Sequence, residues 1–171
     1  RTRRDFVAVA LNEADGLLEA IVAAHPAQWR IAQSVAFAYR YVSHHGFIVA
    51  GKFQRGHHRG GGRMVNSFQR DRVHALQLLE QALPLARADS NKSDTSSLLL
   101  SMARSVLGNR GYAEAWRLQS LTDLAQLPDY EDGWHYDRGA GGAPVDADGQ
   151  PIYHHVPKSY EAAETDGQRW R

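Results

Sequence analysis

The sequence contains no cysteine. That single absence excludes disulfides, thiolate metal sites and a cysteine nucleophile together. No apolar run approaches the ~18 residues that a membrane-spanning helix requires. Charge of one sign is also lacking, because the formal net charge is only +1. No overall field therefore draws the chain to nucleic acid or to an anionic membrane surface. Motifs that carry chemistry are missing as well. No G-x-S-x-G nucleophile elbow occurs, and neither His-Glu-x-x-His nor a pair of histidines at helical spacing is present. The run from Gly46 to Lys52 has the outline of a phosphate loop, yet Phe-Ile-Val-Ala fills its interior and Phe53 stands where a hydroxyl must meet the metal. Asp146-Ala-Asp-Gly149 lacks the remaining ligands of a calcium loop and reads as a turn. Neither catalytic residues nor a cofactor or metal site is therefore expected.

What is present is an ordinary globular composition, 43% hydrophobic and 23% charged over 171 residues, enough for one domain with a core. The charge is placed unevenly. Residues 51–72 carry Lys52, Arg55, Arg59, Arg63, Arg70 and Arg72 against Asp71 alone, a local +5. Residues 121–171 carry a local −6. Two such segments either face each other or each face a partner. The chain opens on Arg-Thr-Arg-Arg-Asp-Phe and stops at Asp-Gly-Gln-Arg-Trp-Arg inside a helical pattern, which we read as a piece of a longer protein.

One spacing recurs. Ala14–Leu18–Ile21, Ala75–Leu79–Ala82 and, degenerately, Ala115–Gln119–Thr122 step by four and then three residues. Such steps place each trio on one helix stripe. Two upstream runs complement them, Ala32–Val35–Ala36–Tyr39 and Leu99–Met102–Ala103–Val106. The offset from Ala75 to Ala115 is 40 residues, six beyond the ~34 of a tetratricopeptide repeat, and the polar stretch 90–95 accounts for the surplus. The offset from Ala14 to Ala75 is 61, and residues 43–69 supply the excess. The expected fold is thus all-α: tetratricopeptide-like antiparallel helix pairs, a Gly-rich loop or β-hairpin insertion, and an irregular C-terminal segment. In the insertion, Gly-Phe-Ile-Val-Ala-Gly-Lys-Phe is expected to pair with Arg-Met-Val-Asn-Ser-Phe, with Gln-Arg-Gly-His-His-Arg-Gly-Gly-Gly-Arg as the tip.

The boundaries follow from these signals. Residues 1–128 form a helical-repeat-like domain with its insertion at 43–69. Residues 129–157 form an irregular glycine- and proline-rich segment in which Asp148–Gly149 can turn a short hairpin. Residues 158–171 begin a further helix that Ser159 is placed to cap. Leu107-Gly-Asn-Arg-Gly-Tyr-Ala-Glu-Ala-Trp116 reads as a helix–turn–helix, and Pro84 is placed to bend or stop its helix.

Helix pairs stack into concave surfaces that bind peptides or domains. The expected role is therefore docking of another protein, or of another part of the same chain. Arg55, His57, His58, Arg59 and Arg63 of the insertion are the contact candidates, together with Asp129, Glu131, Asp132 and Trp134 of the acidic loop. Two rivals come from other classes. One is a metal-dependent hydrolase built from His57, His58, His135 and His154. The other is a nucleic-acid module gripping phosphates through the insertion's arginines, for which the stacking platforms are only Phe53 and Phe68. Neither is preferred over a protein partner.

Three segments carry a resemblance: HHGFIVAGKFQRGHHRGGGRMVNSFQRDRVHALQLLEQALPL, NRGYAEAWRLQSLTDLAQLPDYEDGW and GAPVDADGQPIYHHVPKSYEAAETDGQRWR. From about residue 11 to its end the chain resembles the N-terminal helical region of large bacterial alpha-macroglobulin-family proteins. The resemblance implies an extracytoplasmic place, in the periplasm or cell envelope, within a protease-trapping protein. The family's thioester segment, built on Cys and Gln, is not in this chain, and neither are its bait region and β-sandwich domains. No functional residue carries over, and the resemblance implies a scaffold without chemistry of its own.

Overall fold

The computed structural model describes residues 3–133 and 144–171, with side chains described from residue 13 onward. In chain order the elements are α1 (Arg3–Ala24), α2 (Trp29–Tyr41), β1 (His45–Val49), β2 (Lys52–Arg55), β3 (Arg63–Asn66), α3 (Phe68–Ala88), α4 (Lys92–Leu107), a 3-10 turn (Tyr112–Arg117), β4 (Glu131–Asp132) and α5 (Asp166–Trp170).

The all-α expectation fails at the insertion. Residues 43–69 do not hang from a bend. They supply β1, β2 and β3 of a four-stranded antiparallel sheet ordered β2-β1-β3-β4, so the protein is mixed α/β. The expected pairing of the insertion's two halves exists as β1 against β3, with Gly46 opposite Val65. The first half, however, folds on itself before reaching that partner. Ala50 and Gly51 have φ of 49° and 77°, the left-handed pair that matches a two-residue turn to the strand twist. This turn brings β2 back along β1, with Ile48 opposite Phe53. Gly46 makes the close pairing possible, since a Cβ there would stand 2.3 Å from the Gln54 carbonyl and 2.5 Å from the Phe53 ring. β4 then extends the sheet from the acidic loop, with Val65 opposite Asp132.

The helical part keeps much of its expected logic. Trp29, Val35, Ala36 and Tyr39 of α2 pack on Ala75, Leu78, Leu79, Ala82, Leu83 and Ala86 of α3, and Leu98 and Met102 of α4 close the same cluster. Alanine at 36, 75, 82 and 86 lets the helix axes approach closely, which suits ridge-and-groove packing. The stripe Ala75–Leu79–Ala82 is buried throughout. Leu18 and Val22 of α1 rest on the edge of this core, while Ile21 is 36% exposed. At the far end, Asp89 accepts from the Trp29 indole at 3.0 Å and from Arg30 at 2.9 Å, tying the start of α2 to the α3–α4 turn. Pro84 neither stops nor ends α3, which runs on to Ala88. It sits on the exposed side of that helix, where its ring is clear of the core and its missing N–H costs one ladder bond without ending the helix.

The third helix pair is absent. After α4, Gly108 turns the chain at φ 64°, and only the short 3-10 turn follows before residues 118–130 continue without regular structure. Ala115, Gln119 and Thr122 therefore do not share a helix. Ala115 and Leu118 instead join Leu76, Val106 and Leu107 in a second small core, capped by Leu124 and Trp170. The final helix begins at Asp166 with Thr165 as its cap, later than the expected start near Ser159. Around Asp148–Gly149 the chain turns, with a single antiparallel bridge between Val145 and Pro151.

Candidate docking surface

The insertion and the acidic loop meet each other. Arg63 forms an ion pair with Asp132 across the β3–β4 edge, and Arg70 donates to the Pro128 carbonyl at 2.8 Å. The ring of Phe53 stacks on Tyr130 at 4.7 Å, and the Arg70 guanidinium lies 5.0 Å from the same tyrosine ring. Of the nine contact candidates, Arg63 and Asp132 are thus satisfied internally. Glu131 is part of β4 and, with Asp129, lines an open groove of about 440 Å³ beside the start of α3. His57 and Arg59 are exposed. His58 is half-buried, its ring 5.9 Å from Phe47. Trp134 and His135 lie outside the described residues.

Arg55 is not a surface residue at all. Its side chain is 2% exposed and sits in a network that the sequence reading missed. Two of its nitrogens grip both oxygens of Asp71 at 2.8 and 3.0 Å. It also donates to Asp15 at 2.7 Å, to the Ser43 carbonyl at 2.7 Å and to Ser67 Oγ at 3.1 Å. Asp71 further takes hydrogen bonds from Ser67 and from His44 Nδ1, each at 2.7 Å. β2, the α2–β1 turn and α3 therefore meet at one carboxylate, and Arg55 ties in α1 through Asp15. Burial pushes the Asp71 carboxyl up, but the bonds from His44 and Arg55, the Arg55 charge and Ser67 together hold it below its ordinary value. Burial likewise pulls Arg55 down, and Asp71 and Asp15 more than reverse it. Asp71 was legible in principle, as the single acid among six cations in residues 51–72. A lone counter-charge in a basic run, on a helix stripe with Ala75 four residues on, is a signature of an internal pair.

The Ser67 hydroxyl accepts from Arg55 and donates to Asp71, so it is bound up in the network. Among the described residues, no group of three or more His, Asp and Glu side chains converges in the manner of a metal site. His154, one of the rival metal set, instead holds the C-terminal segment down. It hydrogen-bonds the Ala115 carbonyl at 3.1 Å and lies so close over Gly167 that a Cβ there would stand 2.1 Å from its ring. Asp166 is a second buried hub, accepting from the Thr122 amide at 3.0 Å and lying 3.6 Å from Arg72.

A second open face lies among the helices. Where the end of α2, the start of α3 and the end of α4 converge lies a cleft of about 240 Å³, walled in part by Arg40, Tyr41, His44, Phe68 and Asn109. Beside it α2 shows Phe37 at 54% and Tyr41 at 67% exposure, and the 3-10 turn shows Tyr112 at 57%. Phe37 and Tyr41, four residues apart, stack at 4.6 Å, and the Arg40 guanidinium lies 5.7 Å from the Tyr41 ring. The sequence stripes concealed this face, because its residues alternate with the core positions Val35, Ala36 and Tyr39 on the same helix. No helix among the described residues is long and apolar enough to cross a membrane. Compared with known proteins, the chain matches no family model, no curated protein and no solved structure.

Proposed function

We propose that this chain is a non-catalytic scaffold and protein-interaction module, one part of a large bacterial alpha-macroglobulin-family protease trap held outside the cytoplasm. The observation that carries the docking role is the exposed Phe37–Arg40–Tyr41 surface of α2. Aromatic rings and arginine are the side chains that concentrate binding energy in protein interfaces. The polar groups that the sequence offered as chemistry support the same reading. Arg55, Asp71, Ser67 and His44 are spent on one another, and they hold the sheet to the helices. The family and its location rest on the resemblance of residues 44–85, 109–134 and 142–171.

The test is direct association. The chain is mixed with the polypeptide encoded immediately downstream and sedimented in the analytical ultracentrifuge. A complex that the Tyr41→Ser variant weakens supports the proposal. Free sedimentation of both components contradicts it.

A further inference from the structure

We infer that the cleft between α2, α3 and α4 receives an acidic side chain from an acidic–apolar peptide segment of a partner protein, with Arg40 as its counter-charge. The inference rests on the docking reading and names the partner's chemistry.

Arg30, Arg55, Arg72 and Arg169 each lie beside a carboxylate. Arg40 does not. Among the described residues no carboxylate pairs with it, although Arg40 is half-buried and lines the cleft. Burial is the main cause that lowers its pKa. A desolvated cation without a counter-charge is an arrangement that an incoming anion relieves. A neighbouring donor matches. Asn109 Nδ2, in the cleft wall, is buried without an acceptor. A carboxylate, which is acceptor-only, answers both it and Arg40.

Arg40 stands in the last turn of α2, where a cation is favoured by the helix dipole. That explains a positive charge at the helix end. It does not explain why the charge lines a cleft with no carboxylate beside it. Size decides the class of ligand. At about 240 Å³ the cleft is smaller than the ~300–1,000 Å³ of ordinary small-molecule sites, and it suits one or two side chains. Tyr41 in the cleft wall, with the exposed Phe37 stacked on it, offers apolar contact to the residues flanking the acid. A nucleic-acid backbone would need a longer track of cations than this face presents.

Random heptapeptides displayed on phage are selected on the chain, and the leading peptide is synthesised. The expected outcome is enrichment of Asp or Glu beside aromatic or aliphatic residues. The peptide's affinity should fall about tenfold or more in Arg40→Gln, as truncating one partner of a desolvated charge pair does. The thermal midpoint of the variant is measured alongside, and it should match the parent because Arg40 holds no carboxylate among the described residues. Binding that ignores the substitution overturns the cleft assignment while leaving the docking role intact. Displacement of the peptide by inorganic phosphate or by a single-stranded oligonucleotide overturns the peptide partner. Recovery of no peptide also overturns the inference, and the ultracentrifuge experiment then decides separately whether docking itself survives.

Discussion

Replacing Asp71 with Asn exchanges one oxygen for one nitrogen, so it removes the charge of the central hub and leaves its volume in place. The side chain is 5% exposed and its partner Arg55 is 2% exposed. After the substitution, the guanidinium retains Asp15 as its one described counter-charge, and that side chain is 38% exposed. Removing one partner of a buried ion pair costs about 3–5 kcal/mol, because the remaining charge stays desolvated. In a domain of this size each kcal/mol moves the thermal midpoint by about 2–4 °C, so a fall of roughly 6–20 °C is expected. Asp15→Asn is the control. Its carboxylate is partly solvated, and a loss of about 1 kcal/mol or less is expected. The assay is urea unfolding followed by far-UV circular dichroism, with equal slopes required before midpoints are compared. Acid titration adds a second reading. Asp71 titrates lower in the folded chain than in the unfolded one, so its contribution is complete above the unfolded value of about 3.9. It is lost as pH falls from there through the folded value. The parent should therefore lose stability more steeply than Asp71→Asn between pH 5 and the acid limit. A loss below about 1 kcal/mol for Asp71→Asn, or equal losses for the two variants, would refute the hub.

Three further outcomes are expected. Ala50 carries a left-handed φ of 49°, so Ala50→Gly should raise stability by about 0.5–1 kcal/mol in the same urea assay. Gly46→Ala forces a methyl against the Gln54 carbonyl, and a loss of about 3 kcal/mol, with disturbed β1–β2 amide shifts in NMR, is expected. Arg63→Ala removes a pair whose side chains are 58% and 76% exposed; any loss in its urea midpoint should correspond to no more than about 1 kcal/mol.

The helical half of the fold was legible because its periodicity is local. Ala75, Leu79 and Ala82 announce a buried stripe at spacings that only a helix satisfies, and α3 has them fully buried. The sheet was half legible. Gly46 to Phe53 and Arg63 to Phe68 looked like strands, but which strand pairs with which is set by a turn of two residues. Ala50–Gly51 is a weak signal, since alanine seldom adopts that conformation. β4 was hidden because two residues, Glu131–Asp132, carry no period. The expected third helix pair failed because Ala115 is followed by Gln119 and Thr122, polar positions claimed by His154 and Asp166. Arg55 was misassigned to the surface for a related reason. A charge in a basic run reads as solvated unless its partners Asp15 and Asp71, 40 and 16 residues away, are seen to converge on it.

Photo-crosslinking tests most directly whether docking uses the α2 face and not the insertion. Benzoylphenylalanine is placed at position 37 on α2 in one variant and at position 59 on the exposed insertion loop in another, each mixed with the downstream polypeptide. The expected result is a crosslinked product from position 37 and none from position 59. Crosslinking from position 59 alone would contradict it.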